Sequence, residues 1–245
     1  MRPTHYFAAA LAGLLLFLSI AMPAQTHASP PEPLTSRQQT IVTISALTAT
    51  GDLPKLHAAL GQGLDAGLSV NEAKEVLVQL YAYCGFPRSL QGLNTLIRVL
   101  EERKARGIKD EMGREASPIT SVAPKYERGK QNLETLTGQP EAGLKTGVNA
   151  FSPEIDRFLK EHLFADIFER DVLSYPDREL ATISTLVSLG GVEPMLQAHL
   201  GMGLHVGLTA AQLQHVMALD EAAVSPKAAD AGRALLVKAL ETKKK

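Results

Sequence analysis

The sequence predicts an all-α fold made of two related helical units, and three observations carry that prediction. One phrase is written twice: Gly61-Gln-Gly-Leu-Asp-Ala-Gly-Leu-Ser69 returns as Gly201-Met-Gly-Leu-His-Val-Gly-Leu-Thr209, and upstream of it Val42-Thr-Ile-Ser-Ala-Leu47 returns as Ala181-Thr-Ile-Ser-Thr-Leu186. A repeat at this long a spacing marks a duplicated globular unit, since solenoid periods run at roughly 20–50 residues. Each copy of the phrase leads into a capping box, Ser69-Val-Asn-Glu72 and Thr209-Ala-Ala-Gln212, in which cap and third residue satisfy each other's backbone N–H groups. Apolar residues recur at helical spacing, and no stretch alternates strongly as a half-buried strand would.

The elements follow in order. Arg2 and His5 precede an apolar run from Phe7 to Ile20, then small residues around Thr26-His27-Ala28. The run is shorter than the roughly 20 residues a membrane span needs. It reads as a secretory signal peptide over residues 1–28, which predicts a periplasmic or secreted protein. Proline and alanine dominate the lead-in at 22–33. Thr43 to Ala49 and Ile183 to Leu189 read as helices closed by Gly51 and by Gly190-Gly191, with Pro54 and Pro194 opening the next helices, where proline is tolerated.

After Ser69, residues Ala73, Val76, Leu77, Leu80 and Cys84 share one helical face. Glu101 to Arg106 continues a helix into solvent, and Lys125 to Leu136 forms another. Ser152-Pro153 opens a helix reaching Phe168, with Ile155, Phe158, Leu159 and Leu163 on one face. The units are therefore residues 34–112, trimmed at the N-terminal side, and residues 124–243, with the change of copy between Met112 and Pro124.

The formal charge of −1 gives no electrostatic reason to expect nucleic acid or an anionic membrane as partner. Lys243-Lys244-Lys245 reads as a solvated tail. Cys84 is the only cysteine, so an exported chain has no internal disulfide and depends on core packing. His199, His205 and His215 lack the i,i+4 spacing that sets two imidazoles on one helix face, so no metal site is expected.

Several segments together resemble the carboxymuconolactone decarboxylase family. They are Asp177-Arg178-Glu179-Leu-Ala-Thr-Ile-Ser-Thr-Leu186, Leu196-Gln-Ala-His199, Gly207-Leu-Thr209, Tyr83-Cys84-Gly85-Phe86-Pro87 and Phe158-Leu-Lys-Glu-His-Leu-Phe164. The resemblance covers nearly the whole chain beyond the leader. It implies two tandem alkylhydroperoxidase-D-like helical units. The peroxidase branch of that superfamily uses a Cys-x-x-Cys-x-x-x-His motif with a Glu about twenty residues before the His. Counting back from Gly207 places the His at His199, the cysteines at Val192 and Met195, and the Glu at Glu179. The same count in copy one gives Ala59 and Gln38. With no cysteine pair, the dithiol mechanism is excluded, and the decarboxylase branch, which needs no cofactor, is implied.

The expected chemistry is a proton relay through Glu179 and His199. Losing carbon dioxide from a small carboxylated lactone requires a proton for the carbon skeleton, and an imidazole oriented by a carboxylate supplies one. Arg178 and Arg88 are the candidate clamps for the substrate carboxylate, and Cys84 is a candidate substrate contact. Two rival readings stay open: a peroxiredoxin-type activity through Cys84 alone, and a small-molecule-binding protein without catalysis. Glu72 and Glu75 read as helix-cap and surface residues. Because family members assemble as rings, the resemblance implies a homo-oligomer, here a trimer that mimics a hexamer.

Overall fold

Two helices set the frame of the molecule, and both start and stop on the signals the sequence displays. α1 (Ser36–Thr50) begins where the Thr35 side chain accepts from the Gln38 N–H, and it ends at Gly51, whose φ of 75° is the left-handed conformation that favours glycine. α7 (Tyr175–Leu189) begins at the Ser174 cap and ends at Gly190. The two run side by side in the same direction. Arg37 and Gln38 meet Asp177 near both starts, and farther along the Ser184 hydroxyl lies 2.9 Å from the Val42 carbonyl. The computed structural model describes residues 33–141 and 145–243, so the expected signal peptide lies outside the described residues.

Around this pair each copy repeats one arrangement. In copy one, α2 (Leu53–Asp65) returns along α1, and α3 (Val70–Ala105) follows from the Ser69 capping box. In copy two, α8 (Glu193–His205), α9 (Ala210–Ala223) and α10 (Pro226–Lys243) do the same, with Thr209 as the box residue. α3 is one element only formally. Gly85 at φ 82° and ψ 159° breaks it, and the second arm folds back so that Ser89 Oγ donates to the Leu77 carbonyl at 2.8 Å. The equivalent break in copy two separates α9 from α10.

One apolar core runs through both copies, joining Ile41, Ile44 and Leu47 of α1 to Leu180, Ile183 and Leu186 of α7. Each such side chain contributes about 1.5–3 kcal/mol on full burial, which is how a chain without a disulfide holds together. Among the described residues there is no strand, and the all-α expectation stands.

Copy two carries an extension that precedes α7: α4 (Lys125–Thr137), α5 (Gly147–Phe151), α6 (Pro153–Phe158) and a π-helix over Leu159–Ile167. α4 and the π-helix touch backbone to backbone. A Cβ on Gly129 would sit 1.8 Å from the Lys160 carbonyl oxygen, so only glycine fits there. The expected single helix from Ser152 to Phe168 is thus corrected to a short α-helix and a π-helix. The wider winding breaks the expected face: Leu163 is buried while Ile155 and Phe158 are exposed. Leu163, Phe164, Ile167 and Phe168 form a second apolar cluster with Leu136, and Tyr81, Tyr83 and Tyr175 pack against it.

Candidate functional site

The copies can be superimposed by their caps. Thr35 and Ser174 open α1 and α7, so the residue five positions on is Thr40 in one and Glu179 in the other. Packing agrees. A Cβ on Gly63 of α2 would meet Thr40 Cβ, Ile44 and Leu68, and a Cβ on Gly203 of α8 would meet Glu179 Cβ, Ile183 and Leu208. This corrects the count along the sequence, which lands on Gln38. Gln38 is instead the third residue of the α1 capping box and reaches Asp177.

Glu179 and His199 meet, as the spacing across the glycine break allows. His199 Nδ1 lies 2.9 Å from Glu179 Oε2, and both side chains are buried. α7 supplies the carboxylate from its second turn and α8 returns the imidazole beside it. The Glu179 Oε1 atom has no hydrogen-bond partner. Ala59 in copy one occupies the position of His199, so no such pair exists there.

A third side chain closes on this pair from copy one. The Tyr83 ring meets the His199 imidazole edge to face, with centroids 5.5 Å apart. Its hydroxyl is buried and lacks a partner at hydrogen-bond geometry, although Thr182 is near. Burial, with the Glu179 carboxylate adding to it, holds the phenol well above its ordinary range, so Tyr83 keeps its proton. Tyr83 belongs to the Tyr83-to-Pro87 segment, which signals its importance, but its partners cannot be read from one copy alone. It reaches them only because α3 of copy one packs on α7 of copy two. The site lies at the seam between copies.

Arg178 requires a correction. Its guanidinium is fully buried and bonded within the fold: Nη2 donates to Glu75 at 2.7 Å and to the Arg170 carbonyl at 2.6 Å, and Nη1 donates to Gln79 at 2.7 Å. It turns away from Glu179 toward α3 and is not a free clamp. Glu75, expected at the surface, is 2% exposed and also receives the Arg170 Nε at 3.0 Å from both oxygens. Two guanidiniums on one carboxylate explain why it is tolerated there. Glu72 does act as a cap residue, and Arg37 joins it to Asp177 across the copies.

Arg88 is exposed and lies across the end of α1. A Cβ on Gly51 would fall 1.4 Å from Arg88 Nη1. Gly51 is eleven residues beyond Thr40, about 16 Å along the helix, so the structure does not bring Arg88 to the Glu179 level. Cys84 is half-buried and packs on the core, with its Sγ 3.2 Å from the Leu80 carbonyl. Burial pushes its thiol up to about 11, against a smaller opposing pull from Arg88. A thiol so placed is mostly protonated at neutral pH, and nucleophilic cysteines are thiolates.

Asp220 is a further buried carboxyl that sequence periodicity missed. It sits in α9 where copy one has Leu80, with Oδ1 2.7 Å from the Ser184 hydroxyl and Oδ2 unpartnered. Burial pushes it up to about 8, with Ser184 opposing. The hydroxyl has one proton and two neighbours, Val42 O and Asp220. A neutral Asp220 that donates to Ser184 satisfies all three. Comparing the repeats would have exposed it, as the one acid replacing an aliphatic residue on an inward face.

No curated protein matches the chain. The paired helical copies agree with a family model for carboxymuconolactone decarboxylases, which matches over residues 21–97 and again over 153–237: the chain belongs to the carboxymuconolactone decarboxylase family.

Proposed function

We propose that the protein catalyses cofactor-free proton-transfer chemistry of the decarboxylase kind on a small carboxylated lactone, at one site per chain built from Glu179, His199 and Tyr83. The observation that carries this reading is the buried carboxylate–imidazole hydrogen bond of 2.9 Å, held in one copy only. With Nδ1 engaged by Glu179, Nε2 is the ring nitrogen left to exchange a proton with substrate. Loss of carbon dioxide breaks a carbon–carbon bond and leaves its electron pair on the skeleton. His199 protonates that skeleton, and Glu179 stabilises the imidazolium before and re-orients the ring after transfer. Tyr83, still protonated, donates to the oxygen on which charge accumulates.

The test is carbon dioxide release by the purified protein from a panel of carboxymuconolactones. His199→Ala should lower kcat by about 10²–10⁴-fold, and a variant as fast as wild type overturns the assignment. The raised Cys84 thiol argues against the peroxiredoxin alternative. Cys84→Ala should leave turnover unchanged, and peroxide reduction lost in that variant would restore the rival. Saturable lactone binding with no turnover would favour a binding protein without catalysis.

The same reading includes export and assembly as a homotrimer of six copies, with a small molecule as partner and neither nucleic acid nor membrane. Phe86, Leu90 and Ile97 stand exposed along the second arm of α3, an apolar surface of the kind oligomers cover. Light scattering should return the mass of three chains, and cell fractionation should find the protein outside the cytoplasm.

A further inference from the structure

α8 carries two faces with different surroundings. Leu196, His199, Leu200 and Gly203 are buried toward α7. On the opposite side Ala198, Gly201, Met202 and His205, at i, i+3, i+4 and i+7, line a groove of about 510 Å³. α10 forms one wall with Ala239 and Thr242, and the end of α4 forms the other with Thr137 and Gln139. His205 is fitted against that end. A Cβ on Gly138 would lie 2.2 Å from its Cε1, and the φ of 68° at Gly138 turns the chain so that the imidazole can lie there.

The equivalent face of copy one differs in kind, because ion pairs cross it at the counterparts of Gln197, Gly201 and His205. Arg103 of α3 lies over α2, with Nη2 2.8 Å from Asp65 Oδ1 and Nη1 3.5 Å from the Gly61 carbonyl. His57 pairs with Glu102 at 3.0 Å. Asp65 and Gly61 are the counterparts of His205 and Gly201, and Gln62 is that of Met202. Where copy one carries ion pairs, copy two carries an apolar surface with an imidazole at its end.

We propose that this groove binds a small apolar carboxylic acid, lying along Ala198, Gly201 and Met202 with its carboxylate at His205. The volume falls in the range of small-molecule sites, about 300–1,000 Å³. Ala198 to His205 spans about 10 Å of helix, the length of a chain of about eight carbons. Met202 is the adaptable apolar contact. His205 is the only ionisable residue among those lining the groove, and its exposed imidazole, in the last turn of α8, offers a ring N–H to a carboxylate at the end of the groove. The groove faces away from His199, so its occupancy is independent of the proposed chemistry.

Calorimetric titration of the full chain with octanoate and with 1-octanol tests this, using variants that fold. Gly201 sits in mid-helix with open space where a side chain would project, so Gly201→Phe should fill the groove without loss of Tm, and Ala198→Trp is a second blocking variant. The expected results are saturable octanoate binding, weakened at least about tenfold by either blocking variant. His205→Gln should weaken octanoate by about tenfold and leave 1-octanol unchanged. No saturable binding of octanoate overturns the proposal, as does binding undiminished in both blocking variants. Equal losses of octanoate and octanol in His205→Gln overturn the assignment of the carboxylate to His205.

Discussion

Five residues after its cap, α7 carries Glu179 where α1 carries Thr40. The returning helix carries His199 in copy two and Ala59 in copy one, and the next helix carries Tyr83 in copy one and Ala223 in copy two. Two identical fused units would build two seam sites. Here the residues of one differ at all three positions, and the candidate site draws its pair from one copy and its tyrosine from the other. The structural chemistry divides in the same crossed way. Glu75 and Gln79 of α3 grip Arg178 of α7, whereas their counterparts His215 and Leu219 make no such bond to α1. Duplication preserved the frame and let each seam specialise.

The largest effect that would test this difference is on stability. Glu75→Ala leaves the Arg178 guanidinium buried with its countercharge gone, which costs about 3–5 kcal/mol. The counterpart change His215→Ala should cost less than about 1 kcal/mol. Urea unfolding of both variants checks the asymmetry, and equal costs would show that the α3–α7 seam is no more dependent on charge than the α9–α1 seam.

Asp220 gives the next effect, with a sign set by pH. Its value in the folded protein, about 8, lies above the ordinary 3.8, so folding takes up a proton between those limits. Stability from this group is fully present below about pH 4 and is lost as pH rises through about 8. Asp220→Leu, which restores the residue of copy one, should remove that slope and raise stability at pH 9 on the order of 2–4 kcal/mol. Ser184 remains satisfied by the Val42 carbonyl. Unfolding free energies at pH 5 and pH 9 test it, and a slope unchanged in the variant would mean that Asp220 is ionised in the fold.

Much of this was legible in the sequence, for physical reasons that also mark where legibility stops. Caps, glycine stops and helical periodicity are local, so α1, α2, α4 and α7 to α9 could be read directly. The Glu179–His199 pair was legible because one hairpin joins two adjacent helices and because the repeat showed what copy one lacked. Arg178 was misread because its partners Glu75 and Gln79 lie about a hundred positions away, and nothing local shows which way an arginine turns. The Gln38 count slipped because spacing was carried across a break whose length differs between copies, while the caps hold a fixed register. Ile155 and Phe158 were misplaced because the π-helix that begins just after them turns Leu163 off the face they share.

The tyrosine measures how far the two copies share one site. Tyr83→Phe removes only the hydroxyl and should lower kcat by about tenfold, equivalent to about 1.4 kcal/mol of transition-state stabilisation. KM should change little if the bond forms chiefly in the transition state. An unaltered kcat would make Tyr83 a packing residue and leave the site to copy two alone.

The smallest effect concerns the boxes that both copies keep. Thr209→Ala loses the bond to the Gln212 N–H, for about 1 kcal/mol, within the usual cap range of about 0.5–2. Ser69→Ala should cost more within the same range, because its partner Glu72 is also held by Arg37, whose second carboxylate is Asp177 of the other copy. Freeing Glu72 loosens a contact between copies as well as a helix start. A double-mutant cycle of Ser69→Ala with Arg37→Ala should show coupling of about 0.5 kcal/mol or more, and the same cycle with Thr209→Ala should show none. Equal coupling in the two cycles would mean that the boxes are interchangeable, and that the specialisation of the copies stops at the seam.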